Sequence, residues 1–276
     1  MKKLSLGLIC LTLSLHSYAN EQNSSSTLTY DVFSKDKDVG DVTLQLLKTP
    51  TGHKLIEQSH IKASGWWWNL DLTTVLSEEF DKDQGLIHGD GKTFDEGTAY
   101  WTQIKKLDNA YQAQYVHIEK VTPEEEKQFK NLSFSVAGKT NSDINEALTL
   151  SKSIFADRQE AEQSTQFPVN AFDTTWNNLP FFVQKNVNKP LPETINIMDS
   201  ENLEIMTAKV KDLGNASITI DDQNFETRHI QLSYGRFKPS LIWIYMGVND
   251  QTSALPFVVR HTGEDEDGPF EIILKP

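Results

Sequence analysis

The sequence predicts a mainly β protein of antiparallel curved sheets, arranged as two lobes or as a barrel or clam-like sandwich, with a short helical insertion. Three observations predict it. Apolar and polar residues alternate with a period of two over most of the chain, which is the mark of half-buried strands. Turn-forming Asp, Asn and Gly recur between those runs, and the connections are too short for crossover helices. The one long break in the rhythm, residues 123–183, opens with helix-start residues.

The chain begins Met1-Lys2-Lys3, followed by an apolar run from Leu4 to Leu15 and then His16-Ser17-Tyr18-Ala19. A positive start, a short apolar run and small residues before a cut are the parts of a secretory signal, so residues 1–19 read as a signal peptide cleaved after Ala19 and the mature chain as periplasmic. The run is shorter than the ~20 apolar residues that span a bilayer, and no later segment reads as transmembrane. Cys10, the only cysteine, lies inside this signal. Ile9 precedes it, where lipidation requires a small residue, so the mature chain carries no thiol and must be held by its core alone.

Removing 19 of 276 residues leaves 257, enough for one large β domain or two joined lobes. Losing Lys2 and Lys3 takes the net charge from −13 to −15. So acidic a surface argues against nucleic acid and anionic membrane as partners, because both are polyanions.

The elements follow in order. Residues 20–26 are polar and Ser-rich, a flexible leader. Residues 27–122 form an antiparallel meander, in which Leu28, Tyr30, Val32 and then Val42, Leu44, Leu46 each mark one face of a strand. Asp38-Val39-Gly40-Asp41 reads as the turn between them. Further strands are expected over 54–63, 69–80, 86–93, 98–106 and 111–121. Their connections are Thr51-Gly52, Asp83-Gln84-Gly85, Asp95-Glu96-Gly97 and Asp108-Asn109.

Thr122-Pro123-Glu124-Glu125-Glu126 then supplies a threonine cap, an early proline and acids in the first turn, and so starts a helix. A thin apolar stripe of Leu148, Ile154 and Phe155 suggests a second helix over 145–163. Residues 167–183 are apolar again and read as helical turns over the sheet, interrupted by Pro180. The C-terminal region, 184–276, returns to strands over 193–198, 203–212, 217–220, 225–234, 241–248, 255–262 and 270–275. Leu213-Gly214-Asn215 and Asp221-Asp222-Gln223-Asn224 are its turns.

Several stretches carry a family resemblance. They are Leu28-Thr29-Tyr30-Asp31-Val32 with Val39-Gly40, Glu78-Glu79-Phe80, Gly85-Leu86-Ile87, Gly91-Lys92-Thr93, Asp95-Glu96-Gly97, Thr174-Thr175-Trp176-Asn177, Arg228-His229-Ile230, Trp243-Ile244-Tyr245 and Phe270-Glu271-Ile272. Together they resemble the exported bacterial proteins grouped as domain of unknown function 6134, close to the group numbered 3108. That resemblance implies a signal peptide, a curved antiparallel β fold and a periplasmic home. It supplies no catalytic residue.

The chemistry offers few handles. Gly65-Trp66-Trp67-Trp68-Asn69 places three of the six tryptophans side by side. On a strand Trp66 and Trp68 would face one side and Trp67 the other, so they read as core with a share in a cavity wall. Trp66, Trp68, Trp176, Phe181 and Phe182 are the candidate ligand-binding residues. The histidines show no helical pairing with glutamate, and no nucleophile-elbow motif occurs. His229, beside Arg228, reads as the structural partner of a carboxylate. Glu264-Asp265-Glu266-Asp267 does not follow a calcium-loop spacing and reads as a solvated turn. Glu78 and Glu79 are adjacent on a strand and so point to opposite faces. No catalytic residue, metal site or cofactor is assigned.

What remains is a non-enzymatic periplasmic β protein that binds an apolar small molecule or an envelope protein in or on its sheets. The alternatives are an envelope assembly factor acting through protein contacts and a secreted hydrolase of a glycan or ester.

Overall fold

The computed structural model describes residues 25–64, 69–95, 97–132, 154, 161–236, 238–247, 255–265 and 268–276. The chain is mainly β, with two short helices among these residues. A first run of strands comprises β1 (Ser25–Ser34), β2 (Lys37–Thr49), β3 (Gly52–Ser64), β4 (Asn69–Asp81), β5 (Leu86–Asp95), β6 (Thr98–Lys106) and β7 (Ala110–Ile118). Helix α1 (Pro123–Leu132), β8 (Ala161–Pro168), the two-residue β9 (Thr174–Thr175) and α2 (Leu179–Lys185) follow. The last run is β10 (Thr194–Asp199), β11 (Glu204–Ile220), β12 (Gln223–Ser233), β13 (Ser240–Tyr245), β14 (Phe257–Asp265) and β15 (Gly268–Lys275).

All fifteen strands join one sheet in the order β8-β7-β6-β5-β4-β3-β2-β1-β15-β14-β13-β12-β11-β10-β9. The two halves of the chain are therefore continuous, because β1 pairs with β2 on one side and with β15 on the other. Every pairing is antiparallel except the short parallel contact of β9 with β10.

The connectivity forces curvature. Strands β8 and β9 are the two edges of the sheet, yet only residues 169–173 separate them in the chain. At no more than ~3.6 Å per residue, that connection reaches about 20 Å, so the edges must curl toward each other. Phe172, on the connection, packs its ring 4.8 Å from that of Tyr111 on β7, and Asp173 donates its backbone N–H to Asn196 on β10.

Curling gives the sheet an inner face, and the largest apolar cluster lies on it. Leu46, Leu55, Phe80 and Ile104 from the first run meet Met198, Ile220 and Val259 from the second. Helix α2 adds Leu179 and Val183 to a second cluster with Ile195, Ile230, Ile242 and Ile244. A third, on the outer face of β5–β7, holds Phe94, Trp101, Val116 and Ile118, with Ile154 of the insertion packed against it.

Four expectations need correction. The turn after β1 is not Asp38–Asp41 but Lys35-Asp36, both at positive φ (50° and 62°), which matches the twist of a tight hairpin. Gly40 lies inside β2 at φ 151°, where an added Cβ would sit 2.0 Å from the His60 carbonyl oxygen. Its glycine answers a close backbone approach across β2–β3, not a turn. Leu213-Gly214-Asn215 is likewise a bulge within β11, where the register against β12 shifts, with Gly214 at φ 90°. The helix expected over 145–163 cannot extend past 160, because Ala161–Pro168 is the edge strand β8. Pro180 opens α2 instead of interrupting a helix, since its missing N–H costs nothing in a first turn. The signal segment, the leader up to residue 24 and the run Gly65–Trp68 lie outside the described residues.

The inner-face cluster sets a stability prediction. Leu46 is 1% exposed, so Leu46→Ala should cost about 2–5 kcal/mol in urea unfolding. The 40%-exposed Leu107, changed to alanine, should cost under ~0.5 kcal/mol. Equal losses would contradict this placement of the core.

Candidate functional site

The inner face is not filled throughout. Between the central strands and the segment running into α2 lies a hollow of about 490 Å³. Its floor is apolar: Tyr30 and Val32 on β1, Val42 and Leu44 on β2, Ile272 on β15 and Ile242 on β13. Period-two alternation puts these side chains on one face, and the register aligns them: Tyr30 opposite Val42, Val32 opposite Ile272. Trp176, Leu179 and Pro180 form the opposing wall. Few polar side chains intrude, chiefly Glu57, Asn177, Tyr234 and His261.

A recess of similar volume, about 480 Å³, lies by the β1–β2 turn among Asp36, Lys238, Glu264 and Glu271. Three of its four charged groups are already paired, Lys238 with Glu264 at 2.6 Å and Glu271 with Arg260 at 2.6 Å. It is a polar surface cleft and the weaker candidate.

The wall of the hollow is held by carboxyl groups, of which Glu78 is buried and Glu57 and Glu201 are half-buried. Glu57 stands opposite Leu76 and Glu78 opposite Leu55, so the two are diagonal neighbours on the inner face of β3 and β4. Glu78 is fully buried. One of its oxygens accepts from the Ser200 hydroxyl at 2.5 Å and the other from the Thr175 hydroxyl at 3.0 Å. Asn177 hydrogen-bonds both Glu57 and Glu78. Glu201 accepts from Thr93 at 2.6 Å and from Thr74 at 3.0 Å.

The β10–β11 turn delivers Ser200 and Glu201 to this place. Asp199 accepts from the backbone N–H groups of Glu201 (2.9 Å) and Asn202 (3.1 Å), closing an Asx-type turn. Thr102 donates to the Ser200 carbonyl at 2.8 Å. Gly91 gives the turn room, for a Cβ there would lie 2.4 Å from the Thr102 hydroxyl oxygen.

Burial raises the carboxyl pKa values against the pull of these donors. Glu57 and Glu78 are each pushed up to about 7, with nearby acids reinforcing the shift. Glu201 is raised for the same reasons. The histidines move the other way. His53 is lowered by burial, stacked 4.0 Å from Phe181 and 4.9 Å from Phe80. Its Nε2 donates to the Asn178 side-chain oxygen at 2.7 Å, and the Asn178 amide in turn donates to the Gln84 carbonyl. His261, beside the hollow, is lowered to about 4 by burial, and its Nε2 has no hydrogen-bond partner among the described residues.

The expected ligand-binding residues divide. Trp176 borders the hollow, its ring 6.3 Å from His261 and edge-on to Tyr234 at 5.8 Å. Phe181 is buried against His53, and Phe182 packs into the α2 cluster. Neither borders the hollow. Trp66 and Trp68 lie outside the described residues.

His229 stacks on Trp243 at 4.3 Å, and it is its neighbour Arg228 that pairs with a carboxylate, Asp212. His60 sits by Asp71, His88 by Asp90, and His117 stacks on Tyr100. These three line no part of the hollow. Glu78 and Glu79 do point to opposite faces, the first buried and the second partly exposed.

Sequence reasoning missed Glu57 and His261 as lining groups and saw Tyr30 only as a strand residue. Leu55 and Ile56 are adjacent and both apolar, so alternation alone could not say whether Glu57 faced in or out. His261 sits in a strand whose neighbours are Arg260 and Thr262, with nothing to mark its face.

No protein-family model, curated protein or solved structure matches this chain. The resemblance to the exported families therefore rests on the residues quoted for it. No helix among the described residues is long and apolar enough to cross a membrane.

The carboxyl pKa shifts carry a sign. A carboxyl with a folded pKa above its unfolded value of 4.5 holds its proton more tightly in the native state. Its stabilisation is full below pH ~4.5 and is lost as pH rises toward ~7, at up to ~1.4 kcal/mol per pH unit for each group. Glu57→Gln should therefore gain on the wild type between pH 5 and pH 8, by on the order of 2–3 kcal/mol in urea unfolding. A difference that stays constant across that window would show that Glu57 does not sit in the desolvated, acid-rich surroundings described.

Proposed function

We propose that this chain is a non-enzymatic β protein that holds an apolar or lipid-like molecule inside its curled sheet, and that it works in the periplasm after loss of residues 1–19. One observation carries the reading: a hollow of about 490 Å³ with an apolar floor and a handful of polar groups. Small-molecule sites run to ~300–1,000 Å³ and combine an apolar lining with few, placed polar atoms. An envelope scaffolding factor acting through its surface would be served by a filled interior, so the hollow favours a carrier. A hydrolase would need a nucleophile and base brought together, and His60, His88, His117 and His229 stand in separate surroundings.

Binding of N-phenyl-1-naphthylamine, an uncharged dye that brightens in apolar surroundings, tests the reading. The wild type should enhance its emission saturably. Val42→Phe, which puts a larger side chain into the floor, should weaken binding at least ~10-fold while keeping the β circular dichroism of the parent. No enhancement with the wild type, or undiminished binding by a folded Val42→Phe, would overturn it.

A further inference from the structure

Within that carrier reading, we propose that the hollow takes an uncharged amphiphile with a hydroxyl head and rejects the carboxylate of a free fatty acid. The polar atoms of the hollow decide this. Tyr30 is 4% exposed and its hydroxyl has no hydrogen-bond partner among the described residues. Its cross-strand neighbours on the inner face, Val42 and Leu274, are apolar and offer none. Both the Tyr30 ring and Glu57 border the hollow, and the two are close enough for the acid to act on the phenol electrostatically. A buried hydroxyl left unsatisfied costs ~1–3 kcal/mol, which a ligand oxygen accepting from it would recover.

The charge pattern excludes an anion. Glu57 has Glu78, Glu201 and Asp199 as its electrostatic neighbours, all acids. Among the described residues, no lysine or arginine borders the hollow. Lys54, one residue from Leu55 on β3, projects to the outer face by the strand's alternation. His261 is held neutral by burial and supplies no positive charge. A carboxylate brought here would be desolvated among acids with no cation, an arrangement that costs several kcal/mol. An alcohol matches the chemistry of both groups: its oxygen accepts from the Tyr30 hydroxyl and its O–H donates to a Glu57 oxygen. The tail then lies along Val32, Ile272 and Ile242, beneath Trp176.

Competition against bound N-phenyl-1-naphthylamine at pH 8 separates the possibilities, using dodecan-1-ol, dodecanoate and dodecane as probes of one chain length. Dodecan-1-ol should displace the dye at a concentration about 10-fold or more below that of dodecanoate. Its advantage over dodecane should shrink severalfold in Tyr30→Phe, which keeps the ring. Dodecanoate binding as well as the alcohol, or an unchanged advantage in Tyr30→Phe, would overturn the head-group assignment while leaving the hollow as a binding site. A wild type that binds neither dye nor any of the three probes defeats the carrier reading itself. Should Tyr30→Phe not fold, the wild-type series alone still decides between alcohol and carboxylate.

Discussion

The tertiary structure turns on a buried carboxyl. Glu78, toward the end of β4, reaches both Thr175 on the edge strand β9 and Ser200 in the β10–β11 turn. A strand pairing fixes only its immediate neighbours, and a long antiparallel sheet could twist open without further restraint. Here the Ser200 and Thr175 hydroxyls, with Asn177, bind the two halves of the sheet face to face. Glu201, satisfied by Thr74 and Thr93, repeats the device one strand further along. Such contacts contribute little net stability when complete, but leaving any partner out strands a carboxyl in an apolar interior. They specify one curvature by making others costly.

That curvature explains why the interior is hollow beside a well-packed region. Where the β10–β11 turn and α2 press onto β3–β6, Leu55, Phe80 and Met198 meet and exclude space. Along the central strands β15, β1 and β2 the walls stand further apart, and Trp176 and Leu179 bridge the gap over the floor from above. The polar bolt thus sets the separation of the walls, and the hollow is its by-product in geometry. Its acidic character follows from the same source, since the groups that hold the walls are carboxyls.

Much of this was legible in the residues. The strand runs from β3 to β7 fall within a few positions of the alternation pattern, because each buries one face against the core and period two is then obligatory. Thr122 with the acids after it marked α1, and a capping box between Thr122 and Glu125 is what forms. The misreadings share a cause. Gly40 and Gly214 look like turn residues, yet one answers a close approach across strands and the other a bulge, and both are properties of pairing that no local window contains. Glu57 and Glu78 look like surface acids for the same reason: what makes them inner-face groups are partners more than ninety residues away, Asn177 for both and Thr175 and Ser200 for Glu78. Trp176 could be picked out because a large ring in a polar chain has to be covered by something. Phe181 and Phe182, chosen on the same ground, were covered by His53 and by the α2 cluster.

The pairing of β1 with β15 sets an order of events. During synthesis from the N-terminus the first seven strands can zip as a meander of neighbours, but one side of β1 offers unpaired N–H and C=O groups until Gly268–Lys275 arrives. A loose strand edge invites association with other chains, and closing so long a loop is entropically slow. The sheet is completed at its middle and not at its rim, so a polypeptide truncated before β15 would lose the seam between its halves and expose a sticky ribbon at the centre of the molecule.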